Sequence, residues 1–321
     1  MRPKVAVTRE VFPETLEYLA RHVDVADNQA DRVFTPDELA AALADKDGAV
    51  VTLVDRIDAA LLARCPRLKA VCNIAVGYNN IDVVACSARK VMVTNTPGVL
   101  DDSTADFAWT LMLAAARRMT EAETYLRGGQ WHGWNLRQLN GVDVHHATLG
   151  IVGMGRIGQA VARRARGFEM TVLYYNRKRL DPAVERECNA TYAPLEELLG
   201  RADFVSLHVP YSNETHHLIG ANEIARMKPS AILINTARGG VVDDTALVRA
   251  LKEKRIAGAG LDVFEGEPQF NPGFLALKNV ALAPHIASST EATRRKMAMT
   301  AAENLVATLT TGRPPNWVNP W

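Results

Sequence analysis

Residues 148–158 have the sequence TLGIVGMGRIG, which joins an apolar run to the pattern G-x-G-x-x-G. In a strand-to-helix connection, Gly153 permits a tight turn, Gly155 lets the backbone approach a pyrophosphate, and Gly158 lets the helix pack on the strand. The first turn of such a helix presents unpaired N–H groups and the positive end of its dipole to phosphates. The segment therefore predicts a dinucleotide-binding domain of the Rossmann type.

The rest of the chain repeats the alternation of strand and helix. A helical stretch at 157–166 and an apolar run at 171–175 follow the glycines at the spacing of a βαβ unit. Continuous apolar runs, rather than alternating ones, are typical of parallel strands covered on both faces. Such runs also lie at 5–7, 49–53, 70–74, 91–93, 149–152, 204–209, 231–235, 260–263 and 280–283. The predicted fold class is α/β, with two doubly wound parallel-sheet domains.

The position of the fingerprint predicts how these domains are arranged along the chain. It lies near mid-chain, and the residues before it carry their own strand and helix alternation. An amphipathic segment at 102–118 can connect two halves. A helical run at 288–311, at about 1.5 Å per residue, is long enough to return to the first. We predict a substrate domain of residues 1–100 and 288–321, into which a cofactor domain of residues 101–287 is inserted.

The residues after the run at 171–175 predict the choice of cofactor. An acidic residue there would accept hydrogen bonds from the ribose 2′-hydroxyl of NAD, but this chain has Asn176, Arg177, Lys178 and Arg179. A guanidinium can bind a 2′-phosphate through two hydrogen bonds. We therefore predict NADP (NADPH) as the preferred cofactor, with NAD possible, and Arg177 ahead of Arg179 as the phosphate ligand. A solvated basic turn is the plainer alternative.

Three residues beyond the fingerprint are candidates for catalysis. Arg238 follows a predicted strand and precedes two glycines, so it faces the crevice at the carboxyl end of the sheet. Its forked guanidinium suits the carboxylate and carbonyl oxygens of a 2-keto acid. His285 can supply the proton that an alkoxide needs after hydride addition, and Glu267 can fix the imidazole tautomer. Taken singly, each residue also suits a plain structural or surface role.

Together these motifs carry a resemblance. From Gly77 to the C terminus the chain resembles the D-isomer-specific 2-hydroxyacid dehydrogenases, whose Arg, Glu and His correspond to Arg238, Glu267 and His285. The stretch NIAVGYNNID at 73–82 is similar to the family's substrate loop, although Ala75 and Asn79 stand where Gly and Asp are frequent. WHGW at 131–134, GVDVH at 141–145 and LYYNR at 173–177 resemble the glyoxylate/hydroxypyruvate reductase and 2-ketogluconate reductase branch.

The resemblance implies further roles. The first domain would be flavodoxin-like, and the backbone N–H groups of Val76 and Gly77 would bind the substrate carboxylate together with Arg238. His285 would also contact the substrate. Asp262 would hold the nicotinamide carboxamide. The implied cofactor contacts are Thr104, Gly153, Gly155, Arg156, Ile157, Gly158, Asn176, Arg177, Arg179, His208, Val209, Pro210, Thr215, Thr236, Ala237, Arg238, Asp262 and His285.

The resemblance also implies a homodimer, in which an aromatic residue near Trp131 and Trp134 can reach the partner's active site. Two tryptophans at this spacing also suit a core or a dimer contact. The expected substrate is a small 2-keto acid: glyoxylate, hydroxypyruvate or 2-ketogluconate, among which the sequence does not choose. Two alternatives to this reductase are a dinucleotide-sensing interaction protein of the corepressor kind, which would carry longer tails, and a formate dehydrogenase, whose chemistry needs no general acid.

Composition excludes other classes of partner. The chain of 321 residues has 37 basic and 36 acidic residues, whereas nucleic-acid and membrane-surface proteins favour a basic excess. The cysteines Cys65, Cys72, Cys86 and Cys188 form no C-x-x-C pair. We therefore expect buried reduced thiols and no metal site. The N terminus lacks an apolar run of signal-peptide length, so we expect a cytoplasmic protein.

Overall fold

The computed structural model describes residues 2–321, which form two compact units. One comprises residues 2–100 and Ser289–Trp321, and the other comprises Asp101–Ser288. The first unit is thus discontinuous in sequence. Each unit is built on its own parallel sheet, with five strands in the first and seven in the second. The predicted α/β class with two parallel-sheet domains is confirmed.

The sheet of the first unit has the strand order β2-β1-β3-β4-β5, which is the flavodoxin-like order. Side chains of successive strand residues enter two different apolar clusters, Val5 and Val7 one and Ala6 the other, so both faces are covered. The elements are β1 (Lys4–Val7), α1 (Pro13–His22), β2 (Asp24–Asp27), α2 (Pro36–Leu43), β3 (Gly48–Val51), α3 (Ala59–Arg64), β4 (Ala70–Asn73), α4 (Val83–Ala88), β5 (Met92–Thr94) and, after the second unit, α12 (Glu291–Thr311).

The sheet of the second unit has the order β12-β11-β10-β9-β6-β7-β8, all parallel. The chain moves outward in one direction from β6 and in the other from β9, so the switch point of this Rossmann sheet lies between them. The elements are α5 (Asp101–Ala116), α6 (Met119–Arg127), β6 (Thr148–Val152), α7 (Arg156–Ala165), β7 (Thr171–Tyr175), α8 (Pro182–Cys188), β8 (Ala190–Tyr192), α9 (Leu195–Arg201), β9 (Phe204–Leu207), α10 (Ala221–Arg226), β10 (Ile232–Asn235), α11 (Asp244–Lys252), β11 (Gly258–Leu261) and β12 (Val280–Leu282), with short 3₁₀ helices at Arg166–Phe168 and Pro272–Ala276.

Local sequence explains where several helices begin and end. Thr35 caps α2 through a capping box with Glu38, and Pro36 occupies the first turn. Thr290 caps α12, which therefore starts at Glu291 rather than at residue 288 as the sequence predicted. The helix predicted at 102–118 ends at Ala116, because Arg118 has a left-handed backbone with φ of 52°.

The two strands that the sequence did not predict are both at sheet edges. β2, with the sequence DVAD, is largely exposed, and the three-residue β8, with the sequence ATY, has a single buried residue, whereas the other strands carry continuous buried runs. The four cysteines are free and buried, as expected. Between residues 2 and 321, no helix combines the length and the apolar character that crossing a membrane would require.

Candidate active site

The glycine-rich turn after β6 has the geometry that its sequence predicts. Gly153 has φ of +98°, and a Cβ placed there would lie 2.7 Å from the backbone nitrogen of Val209. A Cβ on Gly158 would lie 2.3 Å from the carbonyl oxygen of Gly153. Gly155, the N-cap of α7, instead faces open space. Two glycines are therefore required by packing within the protein, and the third leaves the N terminus of α7 accessible to a ligand.

Hydrogen bonds fasten this turn to the neighbouring strands. The amide of Met154 donates to Oδ1 of Asn176 at 2.7 Å, just beyond β7. The amide of Gly153 donates to the carbonyl of Tyr175 at 3.0 Å, and that of His208 donates to Val152 at 2.8 Å. The ends of β6, β7 and β9 are thus held together at the switch point, where ligands of open α/β sheets bind.

The two arginines of the basic loop have different surroundings. Arg179 donates two hydrogen bonds to Glu185, at 2.8 and 2.9 Å, and Glu185 also accepts from the hydroxyl of Tyr174 at 2.6 Å. Hydrogen bonding to Arg179 lowers the pKa of Glu185 to about 2. Arg177 is exposed, and no hydrogen bond or ion pair engages its side chain among residues 2–321. Arg177 is therefore the guanidinium available to a ligand.

The segment after β9 carries a neutral histidine and a tight turn. Burial lowers the pKa of His208 to about 4, and its Nε2 lies 2.8 Å from Oγ of Ser206. The hydroxyl of Thr215 donates to the carbonyl of Pro210 at 2.7 Å and accepts from the amide of Ser212 at 2.8 Å. The hydroxyl of Thr215, a predicted cofactor contact, therefore closes the turn that follows Val209 and Pro210.

Arg238 is placed by a turn at the carboxyl end of β10. The side chain of Asn235 closes that turn, accepting from the amide of Ala237 at 3.0 Å and donating to the carbonyl of Arg238 at 3.1 Å. A Cβ on Gly239 would lie 1.7 Å from the carbonyl oxygen of Phe264, so the turn rests directly on the segment after β11. Burial lowers the pKa of Arg238, and the nearby charge of Glu267 opposes that shift.

Glu267 and His285 form a short contact. Oε1 of Glu267 lies 2.5 Å from Nδ1 of His285, and Oε2 accepts from the amide of Phe264 at 3.1 Å. Burial raises the pKa of Glu267, but the hydrogen bond and charge of His285 more than offset it, so the net pKa lies below the usual value. Glu267 is therefore ionised near neutral pH, and its position leaves Nε2 of His285 as the nitrogen for a substrate.

Asp262 positions the histidine through the backbone. Its carboxylate oxygens accept from the amides of Ile286 at 2.7 Å and Ala287 at 2.8 Å, and its carbonyl accepts from the amide of His285 at 2.8 Å. These bonds hold the turn in which His285 takes φ of +56°, a sparsely populated conformation that is typical of functional sites. Burial raises the pKa of Asp262.

The second unit thus brings Arg238, Glu267 and His285 together. Asn235 and Glu185 were not predicted from the sequence as site residues. Each of them positions a residue that was predicted. An Asn that ends a buried strand before an A-R-G-G turn was the available signal for the first. For Glu185, only its place on the helix after the basic loop could have suggested a pairing.

Val76 and Gly77, predicted to bind substrate, lie in the first unit. Their carbonyls accept from Asn95 at 2.8 Å and from Asn73 at 2.9 Å. Across the described residues, neither amide nitrogen donates a hydrogen bond. The loop therefore has fixed carbonyls and two unused N–H donors.

A Rossmann sheet with an Arg, a Glu–His pair and an open glycine turn defines a nucleotide-dependent oxidoreductase. Residues 109–287 match the family model described as D-isomer specific 2-hydroxyacid dehydrogenase, NAD binding domain. The chain belongs to this family of D-isomer-specific 2-hydroxyacid dehydrogenases.

Full-length relatives support this assignment. A glyoxylate reductase of Thermococcus gammatolerans is 49% identical, with 99% of this chain and 96% of the relative aligned. One of Aeropyrum pernix shares the same identity and coverage. Among solved structures, a glyoxylate reductase from Paecilomyes thermophila is 32% identical with a TM-score of 0.90, covering 99% of this chain and 98% of that one.

A second solved structure is that of a complex with NADP. The NADPH-dependent glyoxylate/hydroxypyruvate reductase of Sinorhizobium meliloti, in complex with NADP and malonate, is 33% identical with a TM-score of 0.87. The alignment covers 99% of this chain and 97% of that chain.

Proposed function

We propose that this protein reduces a small 2-keto acid to the 2-hydroxy acid with NADPH, and that glyoxylate is the first substrate to test. The observation that carries the proposal is the 2.5 Å contact between Glu267 and His285, in the same unit as the half-buried side chain of Arg238. In this pair Glu267 holds the imidazole ring through Nδ1 and leaves Nε2 to give the proton that reduction of a carbonyl requires. The glyoxylate reductases among the relatives support the choice of substrate.

The second unit has the features that a dinucleotide needs. Gly155 leaves space at the N terminus of α7 for a pyrophosphate, and the buried hydroxyl of Thr236 has no hydrogen-bond partner among the described residues. We assign residues 101–287 to the cofactor domain and residues 1–100 with 288–321 to the substrate domain. The proposed cofactor contacts are Thr104, Gly153, Gly155, Arg156, Ile157, Gly158, Asn176, Arg177, Arg179, His208, Val209, Pro210, Thr215, Thr236, Ala237, Arg238, Asp262 and His285.

The chain's own residues supply the remaining chemistry. A bound NADPH would supply the hydride. His285 enters the reaction as an imidazolium and gives the proton on Nε2 to the carbonyl oxygen of the substrate. Glu267 stays ionised and stabilises that imidazolium before the transfer. Arg238 binds the substrate carboxylate and stabilises the developing negative charge on oxygen. The unused N–H groups of Val76 and Gly77 are the proposed second ligand of the carboxylate.

Substrate choice is tested by comparing glyoxylate, hydroxypyruvate and 2-ketogluconate under identical conditions. We expect NADPH oxidation with at least one of them, and the ranking of kcat/KM identifies the substrate class. Tight NADPH binding without turnover of any of the three would contradict the proposal and favour a sensing protein.

The proposed NADPH preference depends on Arg177. Replacing Arg177 with Ala removes a charge-assisted contact to the 2′-phosphate, which is worth about 1.5–3 kcal/mol, or roughly 10–100-fold. We expect KM for NADPH to rise by that factor while KM for NADH is unchanged. The matched control is Arg179→Ala, which removes the same charge from the same loop but breaks the pair with Glu185. If Arg179→Ala costs as much as Arg177→Ala, Arg177 is not the principal ligand.

The ionised state of Glu267 predicts a pH-dependent contribution to stability. Its pKa in the folded protein is lowered from 4.5, so the stabilisation is complete above that value and disappears as the pH falls through the folded-state pKa. We expect Glu267→Gln to unfold at lower denaturant concentration than wild type at about pH 7, and the gap to close toward about pH 3. We also expect kcat near neutral pH to fall by roughly 10-fold or more. A stability gap that is independent of pH would contradict an ionised pair.

We further propose that the protein is a homodimer. Helix α6 buries no side chain within the described structure, and Met119 and Leu126 on it are more than half exposed. Trp131, Trp134 and Leu136 are exposed by 54%, 80% and 78%. So much exposed apolar surface is typical of a protein interface. Sedimentation should give twice the chain mass, and a monomer at micromolar concentration would exclude the proposed homodimer.

Because its four cysteines are free thiols, which are typical of a reducing compartment, we propose that the protein is cytoplasmic.

A further inference from the structure

We propose that His216, His217 and Glu265 form a binding site for a divalent transition-metal ion of the zinc type. One ligand atom from each residue lies within 4.8 Å of the others, and no other such cluster occurs in residues 2–321. The sequence led us to expect no metal site because cysteine spacing gave no signal. The cluster is not evident in the sequence because Glu265 is distant along the chain from the two histidines.

The three side chains are already directed toward one another. Nε2 of His217 lies 3.1 and 3.2 Å from the two carboxylate oxygens of Glu265. The rings of His216 and His217 stack, with centroids 3.9 Å apart and planes at 23°. Nδ1 of His216 lies 3.2 Å from the hydroxyl of Tyr211. If that Nδ1 donates to Tyr211, Nε2 of His216 carries a free lone pair, as metal-binding histidines require.

The backbone around the cluster is held in place. The amide of His217, whose φ is +50°, donates to the carbonyl of Gly240 at 2.7 Å. The amide of Glu265 donates to the carboxylate of Asp244 at 3.0 Å. Small rotations of the side chains therefore suffice to bring the donor atoms to coordination distance without rearranging the chain.

Two imidazoles and one carboxylate are a donor set that zinc accepts, with a fourth tetrahedral position left to water. On binding, the ion takes the place of the hydrogen at Nε2 of His217, and a neutral imidazole then carries its single proton on Nδ1, so no net proton is released in that case. Imidazole nitrogen also binds Co²⁺, Ni²⁺ and Cu²⁺, whereas Mg²⁺ prefers oxygen ligands in octahedral geometry. The site should therefore distinguish transition metals from Mg²⁺.

The cluster adjoins the segments that carry the proposed catalytic residues. Gly240, which binds the amide of His217, is two residues beyond Arg238, and Glu265 is two residues before Glu267. A bound ion would connect the loop after β9 to the segment after β11. The three ligands are brought together only in the folded chain, so the ion should bind the folded state preferentially and raise the unfolding temperature.

The test is a titration of the full-length protein with Zn²⁺ against a chromophoric chelator, without cofactor or keto acid. We expect saturation at about one ion per chain, and the variant His216→Ala/His217→Ala to bind at least ~10-fold more weakly. Glu265→Gln, which keeps the size of the side chain, should weaken binding in the same direction. The matched control is His145→Ala/His146→Ala, because these adjacent histidines pair separately with Asp143 and Glu169.

The outcome that would overturn the proposal is equal Zn²⁺ affinity in wild type and His216→Ala/His217→Ala. Equal stabilisation by Zn²⁺ and Mg²⁺ would also overturn it. Unfolding temperatures measured in a chelator show whether the variants fold, and Glu265→Gln tests the site independently if the double variant does not. Since no turnover is measured, the result is independent of the proposed reductase activity.

Discussion

Replacement of His285 with Ala is expected to lower kcat by about 10²–10⁴-fold while leaving NADPH affinity within a few-fold of wild type. The physical reason is the loss of the imidazole that Glu267 holds at 2.5 Å and that we propose as the proton donor of the reaction. The fingerprint glycines and Arg177 are untouched by this change. Steady-state rates with a keto acid, together with a fluorescence titration of NADPH, measure the two quantities separately.

The chain offers a matched control for this variant. His146 also has a left-handed backbone, with φ of 61° against 56° for His285, and it also faces a carboxylate, with Nδ1 3.4 Å from Glu169. His146→Ala therefore carries the same backbone change without affecting the proposed site, and we expect normal turnover. Equal losses in both variants would assign the effect to backbone strain rather than to proton donation.

Arg238→Gln is expected to lower kcat/KM for the keto acid by about 10²–10³-fold, or roughly 2.7–4 kcal/mol of transition-state stabilisation. The guanidinium is the half-buried cation of the proposed site, and glutamine cannot stabilise the developing charge on oxygen. Burial lowers the pKa of Arg238, as expected for a cation that is partly removed from water. We therefore expect the unfolding temperature of Arg238→Gln to be no lower than that of wild type.

Arg238→Lys separates charge from geometry. It keeps the positive charge but lacks the planar fork, so we expect it to recover only a small part of the lost activity. Thermal unfolding of both variants, recorded beside their kinetics, checks the assignment. Full activity in Arg238→Gln would remove Arg238 from the mechanism, and a large loss of stability would assign it a structural role.

The fold was predictable from the sequence where strands are buried on both faces. Strands such as β6 and β10 are covered on both faces, so their residues form continuous apolar runs that need no knowledge of their neighbours. The edge strands β2 and β8 gave no such signal, because one side of each is open to solvent and polar residues are tolerated there. Helix ends depend on single capping residues, such as Thr290, so the predicted ends differ from the observed ends by a few residues.

The candidate site was predictable only in part. Each glycine of the fingerprint has a local reason that the spacing already indicates, and the structure bears this out at Gly153 and Gly158. The pairing of Arg179 with Glu185, which changes what the basic loop can bind, depends on how α8 packs beside β7. The cluster of His216, His217 and Glu265 likewise joins residues far apart in sequence. Such contacts require the tertiary structure.

The central claim is that the Arg238, Glu267 and His285 site reduces a 2-keto acid. The most direct measurement is the initial rate of glyoxylate-dependent NADPH oxidation, with the product identified by NMR, for wild type, His285→Ala and His146→Ala in one assay. The account predicts glycolate formation by wild type and His146→Ala, and a rate reduced by about 10²-fold or more in His285→Ala. Glyoxylate-dependent oxidation that is equally fast in His285→Ala would contradict it.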